Sequence, residues 1–263
     1  AWFRPDNATL VVVGDVTMAE LQPQLERAFV GWRAPSTPLP AKPEATVATA
    51  PAQPQVFLVN RPGPQSIIMA GRLTAPFDAA TEPGLDTFNS ALGGTFTSRI
   101  NMNLREDKHW SYGASSGVRT ANGPRLFAAT AAVQSDKTAE STAEVRKELA
   151  EVISQRPMTQ AEIDATKANL VQGMAGEWET NGAVMNDLTQ MVVYGRPENY
   201  FDTYAERVRA TTPQSASLAA QSVVGTGPTT WVIVGDVATM KPKIEALNLG
   251  QVQVVDVNGN PVP

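Results

Sequence analysis

The sequence predicts an α+β fold, a two-layer domain whose mainly antiparallel sheet is covered by helices on one face. Three observations predict it. Apolar runs of strand length and amphipathic runs of helix length come in pairs, strand with strand and helix with helix, not in strict alternation. Turn residues and capping signals fall at the ends of these runs. At 263 residues the chain is long enough for one large domain or two small ones, each with a hydrophobic core.

The first element is Thr9-Leu10-Val11-Val12-Val13-Gly14-Asp15-Val16, a β-branched run suited to a buried strand and ending at a Gly-Asp turn. Thr17 then caps a helix, with Glu20 completing a capping box and Leu21, Leu25 and Phe29 on one face. The same pattern returns near the end as Thr230-Trp231-Val232-Ile233-Val234-Gly235-Asp236-Val237, followed by Met240, Ile244 and Leu247. Two readings are open. Strand-turn-helix units are common and the echo is coincidence, or the chain starts inside the last strand of one domain and then holds a complete second copy. The stretch Pro35 to Pro54, with Pro38, Pro40, Pro43 and Pro51 among small residues, favours the second, because such composition makes an extended, semi-rigid linker. On that reading residues 1–34 are the tail strand and helix of a preceding domain, 35–54 a linker, and 55–263 a full domain.

Past the linker, Val56–Val59 and Ile67–Gly71 read as paired strands around the turn Arg61-Pro62-Gly63-Pro64. Thr81 to Leu92 is predicted helical, with Leu85, Phe88 and Leu92 on one face, and Thr97 to Arg105 is a second short helix. Tyr112 to Val118 and Leu126 to Val133 follow as strands. Lys137 to Ser154 is a helix with Val145, Leu149 and Val152 inward. Thr159 and Glu162 form a capping box for another helix that runs to about Tyr194, with an interruption near Gly182. Thr212-Pro213 opens the last helix before the final echo, with Pro at its first position.

Composition narrows function. Twenty-one basic against 26 acidic residues give a net charge of −5, so no basic surplus recruits phosphate backbones and nucleic acid is not an expected partner. No apolar run approaches the ~20 residues of a membrane-spanning helix. The absence of cysteine excludes disulfides and thiolate chemistry. A cysteine-free chain rich in small residues fits a periplasmic or secreted bacterial location.

The single histidine, His109, decides much of the chemistry. Zinc hydrolysis needs several imidazoles or carboxylates at helical spacing, and neither H-E-x-x-H nor H-x-x-E-H can be written with one histidine. No G-x-S-x-G elbow, P-loop or dinucleotide fingerprint is present, and Gly93-Gly94 lacks the Lys or third Gly that a phosphate loop requires. His109 reads as a solvated turn residue. The segment around it, Ser98 to Gly113, places Arg105 and Tyr112 across a helix-to-strand junction. Both can donate hydrogen bonds to a carbonyl oxygen and stabilise charge developing on it. On the residues alone a purely structural reading is the favoured one, with Arg105 paired to Glu106 or Asp107 and Tyr112 packed at a sheet edge.

Gly93-Gly94, then Ser98-Arg99-Ile100-Asn101-Met102-Asn103-Leu104-Arg105-Glu106-Asp107, then Trp110-Ser111-Tyr112-Gly113, resembles the second, non-zinc domain of the M16 metallopeptidases, the pitrilysin, insulysin and mitochondrial processing peptidase family. Phe3 to Val16 resembles the end of such a family's first domain. The resemblance implies the M16/LuxS-like metallohydrolase fold and a division of labour. A first domain carries zinc on an H-x-x-E-H helix, and the second supplies an Arg/Tyr pair that binds peptide near the metal. By motif that pair is Arg105 and Tyr112, while Gly93 and Gly94 fall where some non-catalytic subunits have a glycine-rich substrate loop. The zinc motif itself is absent. The resemblance therefore implies a chain that is inactive alone, binds no cofactor, and takes as partners a zinc-bearing M16 domain or subunit and a peptide substrate. The alternative it leaves is a non-proteolytic peptide-binding or assembly module of the same fold.

Overall fold

The computed structural model describes residues 1–41, 51–225 and 227–262. The chain divides into two compact units, Ala1–Val47 with Gln172–Phe201, and Ala48–Val171 with Asp202–Pro263. Of the proline-rich stretch, residues 42–50 lie outside the described residues, and 35–41 and 51–54 are in neither helix nor strand.

In the first unit the capping box at Thr17 forms as the spacing predicts: the Glu20 N–H donates to Thr17 Oγ1 and the Thr17 N–H to Glu20 Oε2. It starts α1 (Met18–Ala28). The preceding Thr9–Val16 forms no strand, contrary to the reading of that run, and Leu10 and Val12 are exposed. A strand exists only through ladder hydrogen bonds to a neighbour, and no described strand pairs with this run. Local β propensity does not substitute for a partner.

The second unit is a mixed six-stranded sheet with helices packed on it. Its elements in chain order are β1 (Gln55–Asn60), β2 (Gln65–Thr74), α2 (Glu82–Asn89), α3 (Arg99–Asn101), β3 (Ser111–Arg119), β4 (Arg125–Gln134), α4 (Thr138–Glu151) and α5 (Gln160–Glu177). The residues of α5 from Gln172 onward belong to the first unit, as does α6 (Asn181–Tyr194). Then come α7 (Tyr200–Arg209), α8 (Pro213–Val224), β5 (Thr230–Gly235), α9 (Val237–Ala246) and β6 (Gln251–Val255). Strand order is β3-β4-β2-β5-β1-β6. Pairing is antiparallel from β3 to β5 and parallel where β1 meets β5 and β6.

β1 and β2 are not neighbours, although their sequence suggests a hairpin. β5 lies between them, with Leu58 opposite Ile233 on one side and Ile68 opposite Ile233 on the other. The continuous apolar run of β5 suits a central strand, and it takes the place a hairpin partner would occupy. One sheet face carries the core. Val56, Leu58, Ile68, Ala70, Phe127, Ala129, Ala131, Val133, Trp231 and Ile233 are buried there. Against them pack Phe88 and Leu92, Val145 and Leu149 of α4, and Met240 and Ile244 of α9. Arg125 and Glu82 pair inside this unit at 2.7 Å and 2.9 Å, and Arg125 also donates to the Ala75 carbonyl at 3.0 Å. A buried charge is tolerated only with partners of this kind.

At one sheet edge the C-terminal residues fold back on β6, with the Val262 N–H donating to the Val254 carbonyl at 2.9 Å. The other edge is β3. There Asn101 takes up the Ala114 N–H and Asn89 the Ser116 carbonyl, and there the candidate site lies.

Candidate functional site

The segment bearing the site is anchored at its start by Arg99. Its Nε donates to Glu162 Oε1 at 2.6 Å and its Nη2 to Oε2 at 2.7 Å, a two-pronged carboxylate grip. The same guanidinium donates to the carbonyls of Arg156 and Pro157. Glu162 also closes the predicted capping box, accepting from the Thr159 N–H and hydroxyl at 2.8 Å and 2.7 Å. Burial opposes ionisation of Glu162, but Arg99 and the two Thr159 donors outweigh it and hold its pKa at about 2.

After Asn101 the helix widens into a π-helical stretch, Met102–Asp107, with Leu104 buried beneath it. Extra residues of this kind re-aim the side chains that follow and recur at functional sites. Arg105 is half-buried, its side chain 40% exposed. Its guanidinium stands 4.4 Å above the centre of the Phe96 ring and 3.3 Å from Glu106 Oε1. Both contacts are at the surface, where such an ion pair contributes ~1 kcal/mol or less, so Arg105 is oriented without being neutralised.

The chain then reverses. The Trp110 N–H donates to the Leu104 carbonyl at 2.9 Å, and Gln134 brackets the turn through its N–H to Trp110 O (2.9 Å) and its side chain to His109 O (3.1 Å). His109 holds a left-handed backbone, φ 57°, with Nδ1 3.1 Å from the Arg105 carbonyl oxygen. It is exposed and serves the turn.

Tyr112 is the bulged residue of β3. Ser111 pairs with Val133 and Gly113 with Ala132, which leaves Tyr112 with no partner across the ladder. The Ser111 hydroxyl repairs the gap, accepting the Gly113 N–H at 3.0 Å and donating to the Ala132 carbonyl at 2.6 Å. A bulge of this kind turns one side chain away from the pleat. Tyr112 is accordingly 85% exposed, so the alternative in which it packs at the sheet edge does not hold. The structural reading of Arg105 holds in part, through Glu106.

Gly93 and Gly94 precede this segment. They end a π-helical stretch, Ser90–Gly94, that packs on β3. Gly93 is buried, and a Cβ there would overlap the backbone N and Oγ of Ser116 and stand 2.8 Å from its Cβ. A Cβ on Gly94 would stand 3.1 Å from Asn89 Nδ2 and O. Close approach to β3 accounts for Gly93, and the nearness of Asn89 at the end of α2 for Gly94. Asn89 completes the contact, donating to the Ser116 carbonyl at 3.2 Å and accepting from its hydroxyl at 2.8 Å.

Sequence reasoning missed three contributors: Phe96 under Arg105, Ser111 at the bulge, and Asn101, which bonds both Phe96 and Ala114. The signal for Ser111 was local, a hydroxyl and a glycine flanking an aromatic residue in a strand. Asn101 sits among apolar helix positions, where a polar residue calls for buried partners. Among the described residues no three His, Cys, Asp or Glu side chains group closely enough to hold a metal ion, so the side chains present do not fit a resident zinc. No helix of the described residues is long and apolar enough to cross a membrane.

Comparison with known proteins bears on the family and the fold. The family model described as the peptidase M16 inactive domain matches residues 1–170. An uncharacterized zinc protease of Streptomyces coelicolor is 25% identical over 236 residues, which cover 88% of this chain. The chain spans 50% of that relative's length. The crystal structure of a peptidase M16 inactive domain from Pseudomonas fluorescens shares the fold at a TM-score of 0.70 with 20% identity, over 84% of this chain and 52% of the other. The periplasmic protease PqqL of Escherichia coli does so at 0.67 with 14% identity, over 84% and 24%. The chain belongs to the M16 peptidase family and corresponds to its inactive domain.

Proposed function

We propose that this chain is the non-catalytic, substrate-positioning half of an M16-type zinc metalloendopeptidase. Arg105 and Tyr112 hold the peptide, and a zinc-bearing M16 domain or subunit cuts it. The observation that carries the reading is the bulge at Tyr112, which presents a phenol to solvent just past the turn that follows Arg105. Accessible hydrogen-bond donors are what recognition of a peptide carbonyl requires. Gly93 and Gly94 contribute by fixing the path of the loop that carries Phe96. Residues 1–34 are read as the end of the preceding M16 domain, which supplies the partner that Thr9–Val16 lacks. A periplasmic or secreted location is part of the proposal, supported by the fold shared with a periplasmic protease.

The test compares this chain alone with the same chain assembled with its zinc-bearing M16 partner, in one polypeptide or two. The isolated chain is expected to bind no stoichiometric zinc and to cleave no peptide, and the assembly to do both. Stoichiometric zinc or peptidase activity in the isolated chain contradicts the proposal. Failure of the zinc-loaded assembly to cleave peptides favours the non-proteolytic assembly module instead.

A further inference from the structure

We propose that Asn101 is a positioning residue for the Arg105–Tyr112 pair, a role that rests on the substrate-binding reading of that pair. Asn101 is 3% exposed. Its Nδ2 donates to the Phe96 carbonyl at 2.6 Å, and its Oδ1 accepts the Ala114 N–H at 3.0 Å. Only one orientation of the amide satisfies both, since exchanging O and N would set donor against donor and acceptor against acceptor. One buried side chain thus holds the backbone on both sides of the site. Phe96 carries the ring beneath the Arg105 guanidinium, and Ala114 is the first buried residue after the Tyr112 bulge.

The need for such a residue follows from where the two anchors lie. Phe96 is 58% exposed and sits in the loop between the π-helical stretch Ser90–Gly94 and α3, so its ring is held chiefly from the backbone end. β3 is an edge strand, and the Ala114 N–H is taken up by Asn101 and not by a further strand. An edge strand next to a bulge is free to shift unless its outward groups are tied. With Asn101 in place, the ring under Arg105 and the strand behind Tyr112 share one rigid reference. Without it the two donors lose register with each other, and displacement of about 1 Å at a reacting carbonyl is enough to cost much of its rate.

The test uses the active assembly of this chain with its zinc-bearing partner and two variants, Asn101→Leu, which removes both bonds, and Asn101→Asp, which keeps the acceptor and loses the donor. Each is expected to lower kcat/KM about tenfold at unchanged zinc content, and to cost nothing further when Arg105→Ala and Tyr112→Phe are already present. An additive loss in that background would overturn the proposal, because a merely structural role is not masked by removing the pair. A second readout needs no activity: the 19F signal of fluorotyrosine at Tyr112 in this chain is expected to shift or broaden in both Asn101 variants. An unmoved signal removes the positioning role. Unaltered kinetics for Arg105→Ala with Tyr112→Phe removes the substrate-binding reading instead, and the proposal with it, so the two failures are distinguishable.

Discussion

Gly93→Ala is expected to destabilise the second unit by about 1–3 kcal/mol, for a reason unrelated to substrate. The new Cβ would overlap the Ser116 backbone N and Oγ, with the Ser116 Cβ at 2.8 Å. The hydroxyl can rotate away, but only by giving up its 2.8 Å bond to Asn89, worth about 1 kcal/mol net. The backbone N cannot move, because β3 is laddered to β4 on both sides of it. Overpacking of a tight contact costs about 1–3 kcal/mol. Replacing a helical glycine returns up to ~1 kcal/mol of conformational entropy, which leaves the stated range. At roughly 2–4 °C per kcal/mol for a domain of this size, the melting temperature should fall by about 2–12 °C. Thermal unfolding followed by circular dichroism reads it. Gly117→Ala is the internal control: it lies on the same strand, and nothing stands within 4 Å of its would-be Cβ. A Gly93→Ala protein as stable as Gly117→Ala would refute the packing account and return the glycine pair to the substrate loop.

Other outcomes follow from the same geometry. His109→Gly relieves a left-handed backbone at a non-glycine residue and is expected to leave peptide cleavage unchanged while raising stability by up to ~1 kcal/mol, measured by urea unfolding. A marked loss of cleavage would return His109 to the site. The Arg99–Glu162 contact should confer a pH dependence that Glu162→Gln abolishes. Because the folded carboxyl titrates at about 2, below its ordinary value of 4.5, the contribution is fully present above that ordinary value and disappears as pH falls toward 2. Glu162 is partly exposed, which discounts the size of the effect but not its direction. Unfolding curves for both proteins between pH 7 and 2 check it, and parallel curves would show that the contact does not couple to folding.

Much of the fold was legible because its signals are local. The capping boxes at Thr17 and Thr159, the proline at the start of α8, and the inward stripe Val145, Leu149 and Val152 each depend on residues within one or two turns of one another. Strand adjacency does not work that way. Nothing in Val56–Val59 or Ile67–Gly71 indicates that Thr230–Gly235, far along the chain, enters between them. Thr9–Val16 shows the limit from the other side, since a strand-like run forms no strand where no described strand pairs with it. In the site, Arg105 and Tyr112 stood out by residue type and by lying in the segment that carries the resemblance to the family. The bulge that exposes Tyr112 is a one-residue offset against β4 and has no counterpart in composition. Asn101 and Phe96 act through distances of 2.6 Å and 4.4 Å that only the folded chain creates.

Whether Arg105 and Tyr112 bind substrate is decided by steady-state kinetics of Arg105→Ala and Tyr112→Phe in the zinc-loaded assembly, with metal content measured on the same samples. Loss of one preorganised donor to a developing oxyanion typically lowers kcat by ~10²-fold or more, and that loss is expected here at full zinc occupancy. Wild-type kcat and KM for both variants would contradict the assignment of this segment as the substrate clamp.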